Sequence, residues 1–128
     1  MIRFAAAVIL LSALVHAQTI RWHGSFESAL KAAQKLQKPI FVVLVERECP
    51  DCRTLFATTF RDENVVRLVS AKTVPVILTR ENEDYPIELL YTLAYPALFL
   101  LSPHEVLLKG PICGIVDAKS LEKELFDE

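Results

Sequence analysis

Beyond residue 24 the apolar positions follow two alternating rhythms. Phe26, Ala29, Leu30, Ala33 and Leu36 recur at helical spacing, with Glu27, Lys31, Lys35 and Gln37 on the other positions. Ser25 suits the N-cap of that helix, and Pro39 bars it from continuing. Ile40-Phe41-Val42-Val43-Leu44-Val45 then runs without a polar residue, the signature of a strand buried on both faces of a sheet. Leu55, Phe56 and Phe60 predict a helix after it, and Asp62 caps a further one carrying Val65, Val66 and Leu68. Thr73 to Leu78 predicts a second strand, its hydrogen bonding limited by Pro75. A charged loop, Arg80 to Asp84, leads to a proline-started helix from Pro86 to Leu93. Ala97 to Leu101 is a third strand, Ser102-Pro103-His104 a turn, and Val106 to Leu108 a fourth strand heading for Gly110. Asp117 caps a closing helix with Leu121, Leu125 and Phe126 on one side. Thr19 to Trp22 forms a short strand or an extended lead-in. The order predicts an α/β fold: a mixed central sheet sandwiched between helices.

Length and composition narrow the picture. A chain of 128 residues makes one domain, and a core of that size needs no disulfide staples. Arg3 followed by the apolar stretch Phe4 to Val15, broken only by Ser12, reads as a signal peptide ending at Val15-His16-Ala17. That stretch falls short of the ~20 residues a membrane-crossing helix needs. Residues 1–17 are thus expected to be removed, leaving residues 18–128 as the domain, with an uncleaved anchor as the alternative. The expected location is outside the cytoplasm, periplasmic in a Gram-negative bacterium and otherwise secreted, without stable membrane insertion after cleavage. The formal charge of −2 is scattered and shows no basic stripe, which argues against nucleic acid as a partner.

The chemistry concentrates in Cys49-Pro50-Asp51-Cys52, just past the Ile40 to Val45 strand. With Cys49 at an N-cap, Pro50 takes the first helical position, where its missing N–H costs nothing. The Cys49 sulfur then meets free N–H groups and the positive end of the helix dipole, which should lower its pKa. Cys52 lies one turn on, within bridging reach, as the shielded, resolving thiol to a more accessible Cys49. A two-residue spacing alone also fits half a zinc site or an inert bridge, but zinc needs two more ligands. Only Cys113, His23 and His104 remain after the leader, and none forms a second close pair. Cys113, between Ile112 and Ile115, is expected to be a small core residue.

From about Ile20 to Phe126 the chain resembles the thioredoxin superfamily, most closely its secreted thioredoxin-like branch. The resemblance rests on Trp22, Phe26, Ala29, Ala33, Lys38 and Pro39 leading into the strand before the cysteines. It rests also on Tyr95-Pro96 before Ala97-Leu98-Phe99-Leu100, and on Gly110 and Gly114 before the last helix. It implies a Cys49–Cys52 disulfide that opens and closes, and a cis-proline at Pro96 that guides the partner backbone beside the cysteines, in a groove narrowed by Tyr95, which is larger than the residue many members carry there. Glu48 stands where many members carry tryptophan, and Val43 where they carry a buried acid. Glu46 is expected to be a solvated charge at the strand end rather than a replacement for that acid.

The function this implies is thiol–disulfide exchange with protein thiols or disulfides and a redox partner protein, using neither metal nor organic cofactor. Glu46, Glu48 and Asp51 outnumber Arg47 and Arg53 around the pair, so a reductase or mild exchanger is expected rather than a strong oxidant. The alternatives are a non-catalytic client-binding module using the Pro96 groove, or a metal carrier using Cys49 and Cys52.

Overall fold

The run Ile40–Val45 forms β1, and its near-complete burial follows from its place inside the sheet. The computed structural model describes residues 18–127; the expected signal segment lies outside the described residues. β2 (Val74–Thr79) pairs parallel to β1, β3 (Ala97–Leu101) pairs antiparallel on its other side, and β4 (Leu107–Cys113) pairs antiparallel to β3. The strand order is β2-β1-β3-β4, a mixed four-stranded sheet.

Side-chain alternation along β1 and β3 divides the core between two faces. Ile40, Val42 and Leu44 share one face with Phe99 and Leu101 and pack on Phe26, Ala29 and Ala33 of α1 (Phe26–Leu36). Phe41, Val43, Leu98 and Leu100 point the other way. They meet Leu55 of α2 (Pro50–Ala57), Val65 and Val69 of α3 (Glu63–Lys72), and Leu121 and Leu125 of α4 (Ala118–Phe126). Both faces of the sheet are therefore covered, as the unbroken apolar run of β1 requires. The helix starts are set locally: the side chains of Ser25, Asp62 and Asp117 accept the backbone N–H groups of Ser28, Val65 and Ser120. Gln37 closes α1 in the left-handed region just before Pro39.

Three expectations need correction. Pro86 to Leu93 is not a helix but a single turn, in which Leu89 and Leu90 donate to the Pro86 carbonyl. Only Leu90 is buried there, while Ile87, Tyr91 and Leu93 stay exposed, so no continuous apolar face exists to hold a helix. Phe60 belongs not to α2 but to a separate 3₁₀ turn, Thr59–Arg61, anchored by the Thr59 hydroxyl donating to the Val116 carbonyl. Of the two readings of Thr19 to Trp22, the lead-in stands and the strand does not; among the described residues, sheet pairing at this edge is limited to His23, bridged to Val76. The fourth strand is longer than Val106 to Leu108 and runs through Gly110 to Cys113.

Candidate active site

β1 delivers the chain to the cysteines. Past Val45, the Arg47 N–H donates to the Glu81 carboxylate at 3.1 Å, tying the connection to the segment after β2. Glu48 then takes a left-handed conformation, φ 53°, and turns the chain into Cys49. Cys49 is the N-cap of α2, Pro50 opens the first turn, and the Cys52 N–H donates to Cys49 Sγ at 3.1 Å. The two sulfurs are joined in a disulfide. Leu55, fully buried, fixes α2 to the sheet, and Phe56 and Phe60 meet Trp22 edge-on at 5.5 and 5.1 Å.

The difference between the two thiols is not the expected one of exposure. Cys49 is 7% and Cys52 5% exposed, so both are buried while bonded to one another. What separates them is hydrogen bonding: a helix-start N–H points at Cys49 Sγ, and the positive end of the helix favours negative charge there. Cleavage of the bond would therefore leave the charge most stable on Cys49.

An open cleft of about 450 Å³ runs alongside the disulfide. Cys49, Cys52, Arg53, Phe56 and Ala57 supply one wall, spaced so that they share a flank of α2. Val45, Glu46 and Glu48 line it from the exit of β1, and Arg61 from the turn after α2. Glu46 pairs with Arg80 at 3.1 Å, and this bond is the main reason the Arg80 guanidinium binds its proton more firmly than usual. The negative surplus expected around the cysteines is thus offset by Arg80 and Arg61, neither of which the local sequence pointed to. Val43 faces the α2 side of the core without an acid, and Glu46 is a partly solvated strand-end charge, as expected.

Tyr95 and Pro96 sit immediately before β3, whose first residue, Ala97, pairs with Leu44 near the end of β1. The Tyr95–Pro96 bond is cis, Pro96 is buried, and its carbonyl accepts the Gly114 N–H at 2.9 Å. The Arg80 guanidinium lies 5.5 Å from the Tyr95 ring centroid, so Arg80 links the exit of β1 to the approach of β3. Neither Tyr95 nor Pro96 lines the cleft along α2. Sequence reasoning missed Arg80 because its partners lie on distant elements that no spacing rule connects.

Cys113 also departs from expectation: it is exposed at the end of edge strand β4, with its sulfur 3.5 Å from the Thr92 hydroxyl. Its apolar neighbours misled because an edge strand buries few of its side chains. The oxidised, folded protein should accordingly give one thiol equivalent with Ellman's reagent, rising to three after reduction in denaturant. No reaction before unfolding would place Cys113 under cover. Among the described residues, no group of three or more His, Cys, Asp or Glu is placed to hold a metal ion. Nor is any helix among them long and apolar enough to cross a membrane.

Residues 21–103 match the family model described as Thioredoxin-like. No curated protein sequence matches the chain. The fold is similar to a thioredoxin from Thermus thermophilus, with TM-score 0.70 and 22% identity over 84% of this chain and 85% of that one. It is similar also to a candidate disulphide isomerase from Bacteroides thetaiotaomicron, with TM-score 0.71 and 24% identity over 88% and 98% of the two chains. A third similar structure is the DsbH oxidoreductase, with TM-score 0.65 and 15% identity over 90% and 88%.

Proposed function

Because the chain belongs to the thioredoxin-like family, we propose that it is an exported thiol–disulfide oxidoreductase working through Cys49 and Cys52. The observation that carries this reading is the disulfide at the start of α2, with Cys49 Sγ accepting a helix-start N–H beside an open cleft.

In the reduced protein the Cys49 thiolate attacks one sulfur of a partner disulfide. A mixed disulfide forms, and the other partner sulfur leaves as a thiolate that takes up a proton. Cys52, as thiolate, then attacks the Cys49 sulfur, closing the Cys49–Cys52 bond and releasing the second partner thiol. Two electrons pass from the protein to its partner. The helix start stabilises charge on Cys49 both as attacking and as leaving group. Tyr95 and Pro96, at the end of β1–β3 pairing, are proposed to receive the partner's backbone. The balanced charges around the cleft favour a mild exchanger over a strong oxidant.

The domain lacking residues 1–17 should reduce insulin disulfides in the presence of dithiothreitol. It should also titrate as a two-electron couple against a glutathione redox buffer. Absence of both activities in the folded protein would transfer the proposal to a client-binding module. Mass spectrometry of the exported protein should find Gln18 at its N-terminus; retention of Met1 to Ala17 would replace the cleaved signal with an anchor.

A further inference from the structure

Three strand ends lie side by side at the end of the sheet that carries the cysteines. β1 and β2 run parallel and in register up to Val45 and Thr79, so Glu46 and Arg80 are the next residues of each. Ala97, the first residue of β3, opposes Leu44 on the other side of β1, so Tyr95 and Pro96 come in beside the exit of β1. In the order β2-β1-β3 that exit stands between Arg80 and Tyr95, and the outer strands are two spacings apart, about 10 Å. The Arg80 side chain spans the gap. One of its guanidinium nitrogens donates to Glu46 Oε2 at 3.1 Å, and the guanidinium carbon lies 5.5 Å from the Tyr95 ring centroid. The chain leading to Tyr95 has little regular support: residues 83–96 form neither helix nor strand, and Tyr91 and Leu93 are exposed. Tyr95 is partly buried against the core on the α1 side, and the guanidinium adds a contact that reaches the ring from β2.

We infer that Arg80 is a positioning residue for partner capture: by crossing the exit of β1 it holds Tyr95, and with it Pro96, where a partner's backbone is received. The inference rests on the reading of Tyr95 and Pro96 given above, and adds to it the residue that fixes their place. Arginine suits the task because its planar guanidinium bonds a carboxylate and lies over an aromatic ring at once, whereas the lysine ammonium is a point charge. Glu46 is the anchor. Its bond to Arg80 restrains the guanidinium, and the restrained guanidinium in turn limits the ring. A second tie steadies the same crossing, since the Arg47 N–H donates to the carboxylate of Glu81, the neighbour of Arg80. Arg80 does not itself line the cleft along α2, so its effect on a partner runs through Tyr95.

The test measures oxidation of the reduced protein by insulin and by the small, uncharged bis(2-hydroxyethyl) disulfide, and takes the ratio of the two rate constants. Only insulin offers a polypeptide backbone for Tyr95 and Pro96 to hold. Loss of Arg80 beside Glu46 also changes the charge near Cys49, but that acts on both disulfides and cancels in the ratio. Arg80→Met should lower the ratio about five-fold, the effect of one exposed cation–π contact and one exposed ion pair. The Arg80 side chain is 58% exposed, so the variant should fold. With Tyr95→Leu already in place, adding Arg80→Met should change the ratio by less than about two-fold, because the ring it acts through is gone. An unchanged ratio in the single variant would overturn the inference and leave the redox reading standing. So would an equal fall in both backgrounds, which would assign the effect to the unpaired charge of Glu46. Failure of both disulfides to oxidise the wild type would overturn the redox reading and the inference together.

Discussion

Cys52→Ser is expected to capture partner proteins covalently through Cys49, whereas Cys49→Ser should capture few or none. The expectation does not come from access, since the two residues are nearly equally buried in the bonded state. It comes from where negative charge is stable. The Cys52 N–H points at the Cys49 sulfur at 3.1 Å, and the positive end of the α2 dipole adds its partial charge. An attacking thiolate is therefore favoured at Cys49, and without Cys52 the mixed disulfide it forms has no internal nucleophile to break it. Insulin reduction should fall to background in both variants, so the covalent adduct is what tells them apart. Non-reducing gels with mass spectrometry of the adducts measure the difference. Equal trapping by both variants would contradict the assigned order of attack.

Gly110→Ala should be among the most destabilising single substitutions in the chain, and Gly114→Ala far milder. Both glycines have positive φ, 106° and 84°, which an alanine tolerates poorly. At Gly114 nothing lies within 4 Å of an added Cβ. At Gly110 it would collide with the Leu98 carbonyl oxygen and come within 3.0 Å of Phe99 Cα, on the neighbouring buried strand. The pairing of β3 with β4 is already irregular there, and β3, buried between β1 and β4, cannot retreat. Strained backbone alone costs about 1–2 kcal/mol, and overpacking adds about 1–3 kcal/mol, so Gly110→Ala should lose about 2–5 kcal/mol in all. In thermal unfolding that corresponds to a Tm lower by roughly 10–25 °C. Equal losses for the two variants would show that the close approach of β4 to β3 does not govern the effect.

What could be read from the sequence follows from where each interaction lies along the chain. β1 was legible because its neighbours on both faces demand an unbroken apolar run, and Ile40 to Val45 provide one. Helix starts at Ser25, Asp62 and Asp117 were legible because a cap and its partner lie three residues apart. The N-cap place of Cys49 followed from Pro50 in the same local way. Longer connections left no mark. The Pro86 to Leu93 segment has helical apolar spacing, yet only Leu90 finds the core, so tertiary contact overrode the pattern. Cys113 has the neighbours of a core residue but lies at the sheet margin, a fact fixed by strand order and not by composition. The cleft needed residues from β1's exit, α2 and the turn after it, and Arg80 reaches Glu46, one of them, only through the pairing of β2 with β1.

Trp22 is the only tryptophan in the chain, and its ring rests against Phe56, which lines the cleft on its other side. The protein therefore carries a built-in optical probe one aromatic ring away from its disulfide. Indole emission responds to the packing and polarity of its surroundings, so shifts of α2 during opening of the bond should alter it without any attached dye. Stopped-flow recording of that emission would time each half of the electron exchange in the unmodified protein.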